Sequence, residues 1–180
     1  SGIASPIYLT FLTANISAVS QGVTPPYITA EGFLLFGMNI GGTGAILGIA
    51  IAMLTAKSER YKAVSKVGII PSIFGISEPI MFGFPIVLNP ILAIPFITVP
   101  LVLQGITYYL MEFNIIGRVI AQVPWTTPPV ISGFLITGGD WRAALWQLIE
   151  LIIAILVYLP FFKTLDKSAL AEEKALEEAK

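Results

Sequence analysis

The sequence predicts an all-α integral membrane protein in which transmembrane helices accompany two proline-broken re-entrant hairpins. Of the 180 residues, 56% are hydrophobic and 12% are charged, about half the ~25% charged fraction of soluble domains. Residues 1–30, 32–56 and 79–111 carry no charge, and roughly 20 apolar residues suffice to cross a bilayer core. Prolines interrupt two apolar stretches, and a continuous helix does not tolerate such clusters.

Missing residue types exclude several classes of chemistry. The chain has no cysteine and no histidine, which excludes disulfides, thiolate metal sites and imidazole acid–base chemistry within it. Its net charge of −1 gives no basic surface for a nucleic-acid partner. The composition therefore predicts no metal and no cofactor, and it leaves carboxylates, amides, hydroxyls and aromatic rings to build a binding site.

Four apolar segments predict membrane-crossing helices. They are residues 1–22, 31–56, 89–111 and 141–162. The last of them contains Glu150, which needs a polar partner or a wet face because an ionisable group is costly against lipid.

Two charged segments predict the cytoplasmic face. Residues 57–66 hold four of the ten basic residues, and short loops rich in Lys and Arg stay cytoplasmic. Residues 163–180 are expected on the same side as a charged tail. Residues 166–180 have a helical composition, but a helix of this length alone would be only marginally stable. The chain returns to this side if it makes two hairpins and two crossings, and also if it makes four full crossings. The topology therefore stays open.

A cluster of glycines in residues 31–56 has two interpretations. The small-residue spacings of Gly37 with Gly41 and of Gly44 with Gly48 are typical of close helix packing. Alternatively, adjacent glycines loosen the helix and present N–H groups to a polar ligand. In that case the candidate contacts are Asn39, Gly42 and Thr43.

The first broken segment, residues 67–88, carries the strongest site candidate. If residues 75–79 form its tip, each arm of about ten residues spans about half of the ~30 Å bilayer core, as in a re-entrant hairpin. Ser77 and Glu78 lie at this tip, and Pro79 disfavours helical backbone at Glu78. A carboxylate here indicates a functional site, although a structural acid paired with Lys or Arg is the alternative.

The second broken segment, residues 114–138, repeats the design around prolines 124, 128 and 129. Trp125 at its tip predicts a stacking platform for a sugar ring, or else a member of an interfacial aromatic belt. Thr126 and Thr127 beside it, and Asn89 after the first break, offer groups to sugar hydroxyls. Asn89 has the alternative role of capping the helix after Pro90. An acid, an indole, amides and hydroxyls together favour a neutral polyhydroxylated solute.

Several motifs occur in the order found in a known family. The stretch Gly75–Gly83 followed by Asn89-Pro90 resembles the Glu-Pro-Ile-x-Phe-Gly signature of sugar permeases of the bacterial phosphotransferase system. Asn39–Gly44, Lys57-Ser58 and Val123–Thr126 are similar to the lactose/cellobiose/diacetylchitobiose branch of enzyme IIC. This resemblance covers essentially the whole chain.

The resemblance implies a multi-pass permease of the cell (inner) membrane that translocates a β-linked disaccharide such as cellobiose, lactose or diacetylchitobiose. The two hairpins would hold the sugar, with Glu78 as the catalytic acid near the hydroxyl to be phosphorylated. A separate phosphorylated IIB protein would donate the phosphoryl group at the cytoplasmic face. Residues 1–162 would form the sugar domain, residues 163–180 the tail, and an N-terminal domain outside this chain a homodimer contact.

One departure from the family pattern concerns a histidine. The family carries it in a Gly-Ile-His-Gly-like stretch that also reaches the sugar, and this chain has none. We expect the histidine to precede residue 1, with the chain as the C-terminal portion of a longer permease. Two alternatives for the function are an ion-coupled secondary transporter of a small neutral solute, which also uses broken helices, and a non-transporting membrane scaffold.

Overall fold

A computed structural model describes residues 4–84, 86 and 89–179, and all regular structure in this part of the chain is helical. The all-α prediction is therefore confirmed. Two helices, Pro90–Glu112 and Trp141–Glu178, are long and apolar enough to cross a membrane. In order, the described helices are α1 (Ala4–Ser20), a 3₁₀ turn (Phe33–Leu35), α2 (Ile46–Ala52), a second 3₁₀ turn (Met53–Thr55), α3 (Glu59–Ile73), α4 (Glu78–Gly83), α5 (Pro90–Glu112), α6 (Ile131–Ile136) and α7 (Trp141–Glu178).

Helix α7 runs through the core and contacts most of the other helices. A Cβ atom at Gly48 of α2 would lie 2.7 Å from the Cβ of Ala154 of α7, so the glycine permits the close helix packing that the sequence predicts. Tyr158 is fully buried, and its hydroxyl donates to the carbonyl of Gly44 at 2.6 Å. Residues 33–45, here called the glycine segment, are thereby hydrogen-bonded to α7.

The long helices expose large apolar side chains. Ile94 and Leu101 of α5 are 59% and 58% exposed, and Leu156 of α7 is 63% exposed. Contiguous apolar surface on this scale is unfavourable in water and marks contact with lipid or further protein. The exposure thus agrees with the membrane class that the charge spacing predicts.

The expectation of a transmembrane helix over residues 31–56 is wrong. The chain there forms a 3₁₀ turn, an irregular segment over 36–45, and then α2. Gly41, Gly42 and Gly44 adopt φ angles of 72°, 106° and 86°, which residues with a Cβ rarely adopt. The interpretation that adjacent glycines loosen the helix is therefore confirmed.

The expected hairpin arms are only partly helical, and the hairpins themselves remain predictions. Residues 57–66, expected as a loop, supply the first turns of α3, while part of the second arm, residues 85, 87 and 88, lies outside the described residues. In the segment 114–138, only α6 is helical. Its first arm is irregular, and the N–H groups of Ile120 and Ala121 in it donate to the carbonyl of Ile136.

The charged tail continues α7 without a break, so α7 is 38 residues long, or about 57 Å at 1.5 Å per residue. Asp166 on this extension accepts hydrogen bonds from the N–H groups of Lys57 and Ser58 at 2.8 and 3.0 Å. Glu173 accepts from those of Glu59 and Arg60 at 3.1 and 3.0 Å. The two charged segments therefore meet on one side, as predicted, and carboxylates of α7 cap the start of α3.

We expect Asp166→Ala to destabilise the protein by about 1–2 kcal/mol, because a helix N-terminus loses the acceptor of two N–H groups. Thermal unfolding in detergent measures the effect as a lower Tm. Lys167→Ala, an exposed neighbour on the same helix, is the matched control. Equal Tm values for the two variants would contradict the capping role.

Candidate functional site

Three interrupted chain segments meet around a cavity of about 260 Å³, here called the inner cavity. A Cβ atom at Gly42 would lie 2.8 Å from the Cβ of Ser77, and one at Gly75 would lie 3.0 Å from the carbonyl oxygen of Trp125. The glycine segment, the first break and the second break are therefore in direct contact. The inner cavity is lined by Leu35, Asn39, Gly42, Thr43, Gly75, Ser77, Glu78 and Trp125.

The first break is a regular helix end followed by a new helix start. Gly75 has a φ of 80°, its N–H donates to the carbonyl of Ser72 at 3.2 Å, and the N–H of Ile76 donates to the carbonyl of Pro71 at 3.0 Å. This is the Schellman arrangement that ends many helices. The chain then turns toward the inner cavity before α4 begins.

Glu78 is the first residue of α4, so the expectation that Pro79 keeps Glu78 out of helical structure is wrong. Proline is tolerated in the first helical turn, where its missing N–H breaks no intrahelical bond. The side chain of Glu78 is exposed and makes no hydrogen bond or ion pair within the described residues. A structural acid paired with Lys or Arg is therefore not observed in the described part of the chain.

Polar groups of the glycine segment face the same space. Asn39 and Thr43 line the inner cavity beside Glu78. Thr43 is exposed, and within the described residues neither its hydroxyl nor its backbone N–H has a hydrogen-bond partner. The segment thus presents donors and acceptors to the cavity, and their contact with a polar ligand stays a prediction.

Trp125 is 65% exposed and covers Gly75, with ring atom Cε3 3.6 Å from the position that a Cβ would take there. Thr127 fixes the preceding turn, because its N–H and hydroxyl both donate to the carbonyl of Pro124, at 2.9 and 2.7 Å. The indole therefore borders the cavity from a loop that is stabilised by hydrogen bonds. An aromatic ring in this position can stack on a sugar.

Three predicted site residues do not line the inner cavity. The Oδ1 atom of Asn89 accepts from the N–H of Ile91 at 3.0 Å, so Asn89 caps α5, as its alternative interpretation states. Thr127 uses its hydroxyl within its own turn. Thr126 is absent from the lining as well. The other six predicted residues come together.

A second cavity of about 140 Å³, here called the outer cavity, adjoins the first. The two share Leu35, Asn39 and Trp125. The outer cavity adds polar groups that the sequence analysis did not assign to a site: Tyr8, Glu31 and Gln122. No local motif marks them, since they come from three segments distant in sequence.

Polar side chains of α5 and α7 hold the glycine segment in place. Gln104 Oε1 accepts from the N–H of Met38 at 3.2 Å, and its Nε2 donates to the carbonyl of Phe33 at 3.1 Å. Gln147 donates through Nε2 to the carbonyl of Leu35 at 3.0 Å. These amides replace the hydrogen bonds that the unwound backbone lacks.

Glu150 supplies a third support and finds the polar partners that the sequence required. Its Oε1 atom accepts from the N–H of Gly37 at 3.2 Å and lies 2.6 Å from the Thr107 hydroxyl. The Nε1 of Trp146 donates to the same hydroxyl at 2.8 Å. Polar residues inside apolar spans were visible in the sequence as signals for such hydrogen bonds. The sequence does not show which backbone groups these side chains bind.

The sequence of the chain matches a known family and several of its members. The family model described as "Phosphotransferase system, EIIC" matches residues 2–100. The lichenan permease IIC component of Bacillus subtilis is 42% identical over 178 residues, covering 98% of this chain and 39% of that protein. The cellobiose-specific EIIC component of Geobacillus stearothermophilus is 40% identical over 179 residues, covering 97% of this chain and 40% of that protein.

A solved structure has the same fold. The crystal structure of the transporter ChbC, the IIC component from the N,N'-diacetylchitobiose-specific phosphotransferase system, matches with a TM-score of 0.92 and 40% identity. The match covers 96% of this chain and 40% of that one. The chain therefore spans about 40% of the length of these three proteins.

Proposed function

Because the chain belongs to the EIIC family of the phosphotransferase system, we propose that it forms the sugar-binding part of a permease that takes up a β-linked disaccharide. The observation that carries this proposal is the inner cavity. Three interrupted segments surround it, and the carboxylate of Glu78 in its lining has no partner within the described residues. The names of the relatives, which refer to lichenan, cellobiose and N,N'-diacetylchitobiose, support a β-linked sugar.

The cavity offers a sugar each kind of contact that it needs. Glu78 accepts a hydrogen bond from the hydroxyl that is to be phosphorylated and orients its oxygen. Asn39 and Thr43 donate to and accept from neighbouring hydroxyls, the open backbone at Ser77 and Gly42 lets the ring approach closely, and Trp125 stacks on its C–H face. Within the described residues no cluster of acidic side chains is placed to hold a metal ion.

We propose that the two broken segments are re-entrant in the cell membrane. Helix α3 begins beside the charged tail and has 15 residues, which gives it a length of about 22 Å. It is shorter than the ~30 Å hydrocarbon core, so the break at residues 74–77 would lie within the membrane. Chain breaks at that depth require shelter inside the protein, and the contact between the two breaks provides it.

The partners follow from the same assignment. The phosphorylated IIB protein would approach the cytoplasmic face formed by residues 57–66 and 163–178, and it would donate the phosphoryl group. Residues 1–162 would act as the transport domain and the tail as part of this face. A homodimer would form through an N-terminal domain outside these 180 residues.

The experiment follows labelled cellobiose, lactose and N,N'-diacetylchitobiose into cells that express the full-length protein. We expect the sugar to appear inside in phosphorylated form, and uptake to stop in cells that lack the general phosphotransfer proteins. An ion-coupled transporter would instead deliver free sugar and fail when the proton or sodium gradient is dissipated. A scaffold would support no uptake. Either result would overturn the proposal.

A further inference from the structure

One buried amide of α7 is hydrogen-bonded to two of the segments that surround the inner cavity. Gln147 is fully buried, and its Nε2 donates to the carbonyl of Leu35, in the glycine segment, at 3.0 Å. Its Oε1 accepts from the N–H groups of Val130 and Gly133 at 2.7 Å each, at the end of the second break. Leu35 and Trp125, which shortly precedes Val130, both line the inner cavity. Gln147 therefore joins two walls of the cavity from behind.

The hydrogen-bond partners fix the orientation of this amide. An amide oxygen only accepts and an NH₂ group only donates, so Oε1 must face the two N–H groups and Nε2 must face the carbonyl of Leu35. The buried hydroxyl of Ser132 donates to Oε1 at 3.1 Å and accepts from Nε2 at 3.0 Å. A Cβ atom at Gly133 would lie 2.6 Å from Oε1, so a larger residue there would displace the amide. The side chain of Gln147 is thus confined in both position and direction.

Gln147 also stabilises a strained turn. Val130 has a φ of 74° and a ψ of −51°, close to the rare, strained form of the γ-turn, and a β-branched residue at such a positive φ is an outlier. Strained backbone persists only where surrounding contacts impose it, and it is concentrated at functional sites. The hydrogen bond from the N–H of Val130 to Gln147 is such a contact. Without it, we expect the turn to relax.

The strained turn adjoins the loop that carries Trp125. Thr127 closes the turn around the indole through its N–H and its hydroxyl. The next residue, Pro128, accepts from the N–H of Ser132 at 3.0 Å. Because consecutive hydrogen-bonded turns transmit a displacement along the chain, a shift at Val130 moves the indole relative to the glycine segment.

We propose that Gln147 is a positioning residue that sets the spacing between the indole of Trp125 and the glycine segment across the inner cavity. This inference rests on the proposed function, in which both walls contact the sugar. Gln147 is buried outside the lining of the cavity, so it acts through these walls. The ring can stack on a sugar whose hydroxyls bind Asn39 only if the two are correctly spaced, and a misplacement of about 1 Å in a site can cost about a hundredfold.

The test shortens the amide without removing it. Gln147→Asn lacks one methylene group, so its amide cannot reach both the carbonyl of Leu35 and the N–H groups of the second break. Titration of the purified full-length permease with cellobiose should show binding that is about tenfold to hundredfold weaker. Asp166→Ala, which is expected to lower the Tm from the other end of α7, is the control for stability and should bind cellobiose as the wild type does. Wild-type affinity in Gln147→Asn overturns the proposal.

A double variant separates positioning from a general loss of stability. If Gln147 acts through the indole, Trp125→Ala/Gln147→Asn loses clearly less affinity than the product of the two single losses, because the ring to be positioned is already absent. Losses that multiply overturn the proposal, and so does normal binding by Trp125→Ala. Wild-type protein that binds no cellobiose overturns the proposed function and this inference with it.

Val130→Gly tests the strained turn on its own, and it does so even where Gln147→Asn fails to fold. Glycine adopts a positive φ without a steric penalty, so we expect this variant to have a higher Tm than the wild type in detergent. A Tm at or below the wild-type value would mean that the turn stores no strain for Gln147 to hold, which overturns the proposal.

Discussion

Glu78→Gln is expected to reduce the phosphorylating uptake of disaccharide by about a hundredfold or more, as for the loss of a positioned acid–base group. The amide keeps the shape of the side chain but removes the negative charge that orients the sugar hydroxyl. Folding should be unaffected, because Glu78 is exposed and has no partner within the described residues. The initial rate of labelled cellobiose uptake measures the effect, normalised to the amount of protein in the membrane.

The control for this variant is Glu112→Gln, which removes another exposed carboxylate, at the last residue of α5. In the described part of the chain Glu112 pairs with Arg118 at 3.6 Å and keeps half of its side chain exposed, and exposed pairs contribute little. We expect its uptake to match the wild type. Near-normal uptake by Glu78→Gln, with an unchanged Tm in both variants, would show that the carboxylate is not part of the site.

The long helices were predictable because spacing between charges reflects the thickness of a membrane. The expected span 89–111 corresponds to α5, and 141–162 to the first part of α7. The segment 31–56 is also apolar and nearly free of charge, but it has a different structure. Its backbone is decided by contacts with α5 and α7, such as the Tyr158 hydroxyl on Gly44, and a hydrophobic pattern contains no information about them.

The tail shows the opposite error. Residues 166–180 are too short for a stable helix only if they fold as a separate peptide with its own nucleation cost. In the structure α7 has already nucleated the helix, so the tail only extends it. Asp166 and Glu173 then bind the backbone of residues 57–60, which stabilises the extension further.

The inner cavity was largely predictable from chain breaks. Glycine and proline clusters at membrane depth have to be sheltered, so polar residues beside them, such as Asn39 and Glu78, were natural candidates. The outer cavity was not predictable in this way. No motif marks Glu31 in the sequence, and only the structure places it with Trp125 in the lining of the outer cavity.

Glu150→Ala is expected to destabilise the protein by about 3 kcal/mol, from an unpaired buried N–H group at Gly37 together with the volume left empty. Glu150 is fully buried, and its second carboxyl oxygen has no partner in the described part of the chain. Thermal unfolding of the full-length protein in detergent measures the loss. Since Gly37 leads directly to Asn39, we also expect weaker sugar binding by the variant.

Glu150→Gln separates hydrogen bonding from charge. The Thr107 hydroxyl has one hydrogen but lies 2.9 Å from the carbonyl of Leu103 and 2.6 Å from Glu150. With its carbonyl oxygen in the place of Oε1, a glutamine accepts from the N–H of Gly37 and from the Thr107 hydroxyl, which then donates to the amide and not to Leu103. These hydrogen bonds need no charge, so we expect a loss of about 1 kcal/mol, well below that of Glu150→Ala. A Gln variant as unstable as the Ala variant would mean that Glu150 acts as a charged group, and that uncharged hydrogen bonds do not hold the glycine segment.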